Sequence, residues 1–234
     1  MSRLASTLLW DMRLQYRQGL YWAAAVVVAS WGAILWQLPP AGVMWLLPIA
    51  LFIDMSVFGF YFMAGILYLE KGDGVLAALV VTPMRSTEYL LSKVISLTVI
   101  ALLASVVVTL LAGGWQARWH WLLAGVALNS WLMAMLSFAL ASRYDAIHEF
   151  LIPSGIWTIP TQLPMLDYFG IWTGWPIYLI PTQGSMILFE AAFRPVPAWE
   201  LLYALAYLLA ACVAASWFAA GAFERFVVRA EGRR

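Results

Sequence analysis

The side chains with the greatest chemical capacity lie in one segment, from Leu69 to Lys93, which reads LEKGDGVLAALVVTPMRSTEYLLSK. Its charged residues are Glu70, Lys71, Asp73, Arg85, Glu88 and Lys93. Long apolar stretches flank the segment, Val43–Leu69 before it and Val94–Ala112 after it. Because each stretch is long enough to cross a bilayer, we expect a water-facing loop with its own short helix between two membrane spans.

The loop is expected to contain one short apolar helix. Gly72 and Gly74 permit tight backbone turns where the preceding span ends. Val75–Val81 then form the helix, and Thr82-Pro83 ends it, because a proline disfavours helical geometry at the residue before it.

Ser86 is expected to cap the helix that follows, with Glu88 near the positive end of the helix dipole. This helix leads into the next span. A short helix held beneath the membrane by two spans suits docking against a cytosolic protein. An ordinary structured connector explains the same residues, and the residues alone leave both interpretations open.

Asp54 is the one acidic residue that lies far from any predicted membrane boundary. Intramembrane carboxylates are costly and mark functional sites by default. Two hypotheses therefore stand together: Asp54 lines a pathway or a subunit interface, or it hydrogen-bonds a neighbouring helix. Asn129 and Ser130 are candidate partners for the second role.

The remaining reactive residues predict no metal or nucleotide site. His148-Glu149 is half of an HExxH motif, but no second histidine follows at the required spacing. With Arg143 and Asp145 it predicts a polar turn. Cys212, the single cysteine, lies in an apolar run and is expected to be buried. No GxxxxGK[ST] motif occurs, so no loop is predicted to cradle a nucleotide phosphate.

Composition indicates what positions these residues. The 234-residue chain is 64% hydrophobic and 11% charged, whereas soluble domains carry about 25% charged residues. An integral membrane protein is therefore predicted, and an aromatic content of 15% suits side chains that anchor at bilayer interfaces. The net charge of +1 argues against nucleic acid as a partner.

The N-terminal segment predicts a helix lying in the membrane plane. Asp11 and Arg13 interrupt the region where a signal peptide would be uniformly apolar, so no cleavable signal is expected. On a helix, most apolar side chains lie on one side and the polar ones lie opposite, with Trp10 and Leu14 as exceptions. We predict an interfacial helix with a turn at Gly19 into the first span.

Six spans of about 20 residues can be drawn. They are Leu20–Leu38, Val43–Leu69, Val94–Ala112, Trp119–Ala141, Ala146–Leu166 and Trp199–Phe223. Residues 168–198, between the fifth and sixth spans, are apolar but rich in glycine and proline. We predict a re-entrant or interfacial pair of short helices there, because unpaired backbone cannot face lipid. A seventh span is the alternative.

Lysine and arginine predict the orientation, because they concentrate on the cytoplasmic side. With the N-terminus inside, only Arg118 and Arg194 lie outside, against the 11 others of the 13 basic residues. Both termini and the Leu69–Lys93 loop are therefore expected to be cytoplasmic, in the cytoplasmic (inner) membrane of the cell.

The Leu69–Lys93 segment resembles the corresponding loop of ABC-2 type transporter permeases, most of all permease subunits of fluoroquinolone or multidrug exporters. That family has an acidic residue, a Gly-Thr pair, a short leucine-containing helix, a Ser/Thr-Pro and a lysine that opens the third span. Here the pattern consists of Glu70-Lys71, Gly74, Leu76, Thr82-Pro83, Glu88-Tyr89-Leu90 and Lys93. Val75 stands where the family usually has threonine, so a side-chain cap of the short helix is lost.

The resemblance implies an all-α integral membrane fold in a single permease domain, residues 1–234, without a nucleotide-binding domain. Its expected parts are an N-terminal elbow helix, six transmembrane helices, a cytoplasmic coupling helix between spans 2 and 3, and a re-entrant extracellular segment between spans 5 and 6. The residues expected to couple to an ATPase are Glu70, Gly74, Val75, Leu76, Leu79, Thr82 and Pro83.

The resemblance also implies a transport subunit rather than an enzyme. It would export a hydrophobic or amphipathic, drug-like compound with energy from ATP hydrolysis. A separate cytosolic ATPase subunit would bind the ATP and Mg, and a second permease subunit, identical or paralogous, would complete the pathway within the lipid bilayer. The alternatives are a haem or lipid-linked substrate, and, in a different class, a passive channel or assembly protein.

Overall fold

Every regular element in the computed structural model, which describes residues 3–75 and 86–228, is a helix. The expected coupling residues Leu76, Leu79, Thr82 and Pro83 lie outside the described residues. The α-helices are α1 (Arg3–Arg17), α2 (Leu20–Trp36), α3 (Pro40–Gly72), α4 (Ser86–Leu111), α5 (Trp119–Ala141), α6 (Ile147–Gln162), α7 (Pro164–Tyr168), α8 (Pro181–Phe193) and α9 (Ala198–Ala222).

Four helices among the described residues, α3, α4, α5 and α9, are long and apolar enough to cross a membrane. The apolar helix α2 follows α1 after a bend of 63°, and the pair counts as a fifth span if the two are taken together. Gly19 makes the bend with a φ of 82°, a left-handed conformation that glycine adopts without strain. The predicted turn at Gly19 is thus confirmed.

Helix α3 contains a π-helical turn, Phe58–Phe62, near its middle. A π turn leaves backbone carbonyls without their usual partner, and the Ser137 hydroxyl donates to the Phe60 carbonyl at 2.5 Å. A Cβ on Gly59 would lie 2.9 Å from the Ser130 carbonyl oxygen, so glycine lets α3 and α5 approach closely at this turn.

Helix α8 lies inside the bundle, packed between α3, α5 and α9, although it has only 13 residues. A helix of that length is about 20 Å long, too short to cross a bilayer core of about 30 Å. Gly184 allows its close contact with α9, since an added Cβ would lie 2.9 Å from the Ala204 carbonyl oxygen. A full seventh span is therefore not formed by this helix; the re-entrant placement of residues 168–198 stays a prediction.

The helix bounds differ from the predicted bounds at the third and fifth spans. The third span begins earlier, because the charged stretch from Ser86 to Lys93 continues the helix α4 without a break. The fifth span is shortened to 16 residues, Ile147–Gln162, and the short helix α7 starts at Pro164. The span Trp119–Ala141 agrees with α5 at both ends.

Basic residues assigned to opposite sides of the membrane lie at opposite ends of α5. Arg118, which precedes α5, donates from its side chain to the Arg194 carbonyl at 3.4 Å. Lys71 forms a 2.8 Å ion pair with Asp145, beyond the other end of α5. A helix of 23 residues separates these two ends by about 35 Å.

The orientation can be tested with single cysteines in a Cys212→Ala background. Because Arg118 and Asp73 are both exposed at opposite ends, we expect an impermeant thiol reagent on intact cells to label Arg118→Cys but not Asp73→Cys. Permeabilised cells should show labelling at both positions. Labelling of position 73 from outside intact cells would reverse the assignment.

Candidate functional site

A buried ammonium group lies where α1, α3 and α4 meet. Lys93, near the start of α4, forms ion pairs with Asp11 of α1 at 2.5 Å and with Glu70 of α3. The exposed fractions are 3% for Lys93, 6% for Asp11 and 2% for Glu70. Charged side chains that are buried this deeply remain charged only when they are paired and hydrogen-bonded. The two ion pairs therefore connect α4 to α1 and to α3.

Hydroxyl groups of α4 complete the coordination of the two carboxylates. Tyr89 donates to Glu70 at 2.5 Å, and Ser92 donates to the second oxygen of Asp11. We call Asp11, Glu70, Tyr89, Ser92 and Lys93 the Lys93 cluster. Every carboxylate oxygen in it accepts a hydrogen bond, as buried charges require.

The Lys93 cluster joins the two ends of the predicted coupling loop. Glu70 lies four residues before Gly74 and Lys93 lies in the second turn of α4, so the chain leaves and re-enters the bundle at one charged joint. Asp11 ties the N-terminal helix to the same joint. A displacement of the loop would therefore act on α1, α3 and α4 together.

Two polar side chains of α1, Asp11 and Gln15, point into the protein, which its interpretation as an interfacial helix did not foresee. Beside Asp11, Gln15 is 1% exposed and donates to the Ser96 hydroxyl at 2.6 Å. The exposed side chains of α1 include both aromatic and basic ones, with Trp10 at 67% and Tyr16 at 59% beside Arg13 and Arg17. The membrane-plane placement stays a prediction, but Asp11 and Gln15 bind α4 rather than water. The sequence feature that could have predicted this contact is Lys93 itself, because a lysine at the start of a long apolar stretch needs an acidic partner.

A second, more exposed contact fixes the end of α3 from another side. Lys71 donates to the Asp145 carboxylate at 2.8 Å and to the Tyr144 carbonyl at 3.0 Å, both in the turn between α5 and α6. Tyr68 donates to the Ala141 carbonyl at 3.0 Å. The predicted polar turn that contains Asp145 thus serves as an anchor for α3.

The structure places three of the expected coupling residues. Glu70 is buried in the Lys93 cluster, so its side chain does not present a surface to another protein in this conformation. Gly74 has a φ of 71°, and Val75 follows it with an exposed side chain. Glycine is therefore the residue that lets the chain turn out of α3, while a direct role in binding a partner stays a prediction for the loop.

Asp54 does not hydrogen-bond Asn129 or Ser130, so this proposed pairing is wrong. The side chain that hydrogen-bonds Asp54 is Trp31 of α2. Ser56 faces Asn129 instead, accepting a hydrogen bond from its amide at 3.3 Å. Two residues turn a helix by about 200°, so Asp54 and Ser56 necessarily face different neighbours.

Asn129 is the centre of a polar contact between α3, α5 and α8. Its amide nitrogen donates to Ser56, and its carbonyl oxygen accepts from Ser185 at 3.0 Å. Both serines and Asn129 are at most 1% exposed. This contact fixes the buried helix α8 against the long helices in the middle of the bundle.

Possible metal ligands are dispersed in the described part of the chain. No group of three or more histidine, cysteine, aspartate or glutamate side chains comes together there. His148 is exposed, and Glu149 accepts a hydrogen bond from the Asp145 backbone at 3.3 Å. Cys212 is buried in α9 and donates to the Leu128 carbonyl at 3.3 Å.

Comparison with known proteins gives one consistent result over nearly the whole chain. A model of the fluoroquinolones export permease protein family matches residues 2–231. Two relatives, each a fluoroquinolones export permease protein, come from Mycobacterium tuberculosis strains CDC 1551 / Oshkosh and ATCC 25618 / H37Rv. Each is 32% identical over 238 residues, which cover 99% of this chain and 99% of the relative.

Removing the buried ammonium tests the Lys93 cluster. Lys93→Met leaves two carboxylates buried without a cation, so we expect the free energy of unfolding to fall by about 3–5 kcal/mol. Neutralising the partners as well, in Asp11→Asn/Glu70→Gln/Lys93→Met, should recover much of that loss. Both variants are heated in detergent, and size-exclusion chromatography then measures the fraction of each that remains folded at each temperature.

Lys71→Met is the matched control, because its partner carboxylate Asp145 has a side chain that is 85% exposed. Exposed ion pairs contribute about 1 kcal/mol or less. Equal losses for Lys71→Met and Lys93→Met would contradict the view that burial makes the Lys93 cluster critical.

Proposed function

The chain belongs to the fluoroquinolones export permease protein family, and from that premise we propose that it is the membrane subunit of an ATP-driven drug exporter. Its family and its apolar helices indicate that the chain is a multi-pass membrane protein and a transport subunit rather than an enzyme. The family match over residues 2–231 is the observation that carries the proposal.

The energy source is proposed to be a separate ATPase. The chain contains no GxxxxGK[ST] motif to bind nucleotide phosphates. ATP and Mg would therefore be bound by a cytosolic ABC-type partner. The proposed substrate is a hydrophobic or amphipathic compound of the fluoroquinolone kind, which the names of both relatives support.

The loop between α3 and α4 is the proposed contact with that ATPase. The chain enters this loop after α3, whose Lys71 pairs with Asp145 at the end of the bundle to which the charge distribution assigns the cytoplasm. Because Glu70 and Lys93 connect the two ends of the loop, a movement of the ATPase would reach α1 and both long helices through one joint.

A second permease subunit is part of the proposal, since the pathway would form between two facing subunits. Both termini are proposed to be cytoplasmic, and the membrane is proposed to be the cytoplasmic one. The short buried helix α8 and its preceding segment would then lie at the extracellular half, beside Arg118 and Arg194.

Drug accumulation tests the function. Cells that express the chain together with its proposed ABC-type ATPase partner should accumulate several-fold less of a fluoroquinolone than cells with neither protein. Exchanging the phosphate-loop lysine of the ATPase for methionine should abolish the difference. Fluorescence of the retained drug, after separation of cells from medium, gives the measurement.

Other outcomes of this experiment favour the alternative functions. If the chain lowers accumulation equally without the ATPase, a passive channel is supported and the proposal fails. If export requires the ATPase but acts on haem or a lipid-linked molecule and not on the drug, the transport role stands and the substrate class is wrong.

The docking role of the loop can be tested by placing a charge in its predicted apolar helix. Leu76→Asp or Leu79→Asp would bury an unpaired carboxylate in the contact, at a cost of about 2–5 kcal/mol. We expect at least one variant to insert in the membrane but lose the ATPase during affinity purification. Quantitative immunoblotting of both subunits measures the stoichiometry.

His148→Asp provides the control, because His148 is exposed in α6 just after the turn that binds Lys71. This variant places an aspartate at the same end of the bundle as the leucine variants but outside the loop. We therefore expect it to retain the ATPase during purification. Wild-type stoichiometry for both leucine variants would exclude docking through these side chains.

A further inference from the structure

Asp54 is a carboxylate in the middle of the bundle. It lies 14 residues after Pro40, the start of α3, and 16 residues before Glu70, which correspond to about 21 Å and about 24 Å along the helix axis. Its exposed fraction is 8%, so it is buried but not sealed from the surface of the bundle. A charge at this depth is costly unless something compensates it.

No basic side chain of the described residues pairs with Asp54, in contrast to Asp11 and Glu70. The sequence explains this difference, because no lysine, arginine or histidine occurs from residue 18 to residue 70 or from 94 to 117. The protein therefore supplies cations only near the ends of α2, α3 and α4. A basic group that pairs with Asp54 would therefore come from outside the described part of the chain.

The surroundings of Asp54 suit an organic ammonium group. Trp31 hydrogen-bonds the carboxylate and lies half-buried at the edge of an aromatic and aliphatic cluster. Phe58 and Phe62, one and two turns further along α3, stack edge to face with ring centroids 4.7 Å apart. Aromatic faces attract ammonium groups, and tryptophan does so most strongly.

The site also has a route to the surface of the bundle. Val57, one turn from Asp54, is 44% exposed, and Ile53 beside Asp54 is partly exposed. The carboxylate thus borders an apolar surface along which an amphipathic molecule can lie with its hydrophobic part. A hard metal ion does not fit, because it requires several oxygen ligands and no acidic cluster forms here in the described residues.

We propose that Asp54 and Trp31 form the recognition site for the protonated amine of an amphipathic organic cation or zwitterion. The carboxylate pairs with the ammonium group, the indole fixes the carboxylate and offers its face, and the apolar surface around Val57 receives the rest of the molecule. This inference rests on the proposed export function and adds the chemical class that the pathway selects.

A matched pair of compounds tests the site by binding alone. The probes are a fluoroquinolone with a free secondary piperazine amine and its N-acetyl derivative, which has the same ring system but no positive charge at that nitrogen. Equilibrium dialysis against the purified full chain in lipid nanodiscs gives both dissociation constants. We expect the wild type to bind the free amine about tenfold or more tightly than the amide, as a desolvated charge pair predicts.

Variants then assign the preference to Asp54. Asp54→Asn should remove the preference for the amine while leaving affinity for the N-acetyl compound unchanged, and Asp54→Glu should retain part of it. Glu200→Gln is the control, because Glu200 is a partly exposed acid near the start of α9. It removes one negative charge elsewhere and should keep the wild-type preference.

The outcomes separate this inference from the proposed function. Equal wild-type affinity for the two compounds, or equal weakening of both by Asp54→Asn, would overturn amine recognition by Asp54 even if ATP-driven export is observed in cells. A clear amine preference without ATP-driven export would leave the site standing and would overturn the export function. Asp54→Glu keeps the test decisive if Asp54→Asn does not fold.

Discussion

The buried ammonium of Lys93 is the constraint on which the arrangement of the helices depends. A lysine at 3% exposure has to be neutralised, and its two carboxylate partners come from Asp11 and Glu70, which are 82 and 23 residues away in sequence. Satisfying one cation thus fixes three helices relative to one another. Desolvation makes the pairing strict, because removing a single partner leaves an uncompensated charge among apolar side chains.

The position of the Lys93 cluster at the two ends of the loop supports its proposed role in transmitting movement from the loop to the helices. Apolar packing alone would let α3 and α4 slide against each other, since dispersion contacts have little directionality. Hydrogen bonds from Tyr89 and Ser92 orient the carboxylates and give the joint a defined geometry. A loop that leaves the bundle at Gly74 and returns at α4 is therefore attached to a stiff base. This is what transmission of movement from a cytosolic ATPase would require.

Acidic residues in this chain differ in function because their surroundings differ in charge. Asp11 and Glu70 lie beside a lysine and act as structural partners. Asp54 lies on a helix face that contains aromatic and aliphatic neighbours, with Trp31 as its hydrogen-bond donor. Asp11 and Glu70 share the ammonium group of Lys93, whereas no basic side chain of the described residues pairs with Asp54. Paired charges connect the helices, whereas a carboxylate without a basic partner can bind a ligand, as we propose for Asp54.

The sequence by itself determined the helical membrane class, the bend at Gly19 and the bounds of α5, because hydropathy and turn chemistry are local properties. The family was indicated by the resemblance of the Leu69–Lys93 segment. The sequence also located Glu70 and Lys93 at the two ends of one loop. Tertiary structure alone decided that Asp11 and Gln15 face α4 and that Asn129 pairs with Ser56 rather than Asp54. A helical pattern gives the angle between two residues on one helix but not which neighbouring helix each will meet. For α8, 13 residues of mixed composition gave no span signal, and its burial follows only from contacts with α3, α5 and α9.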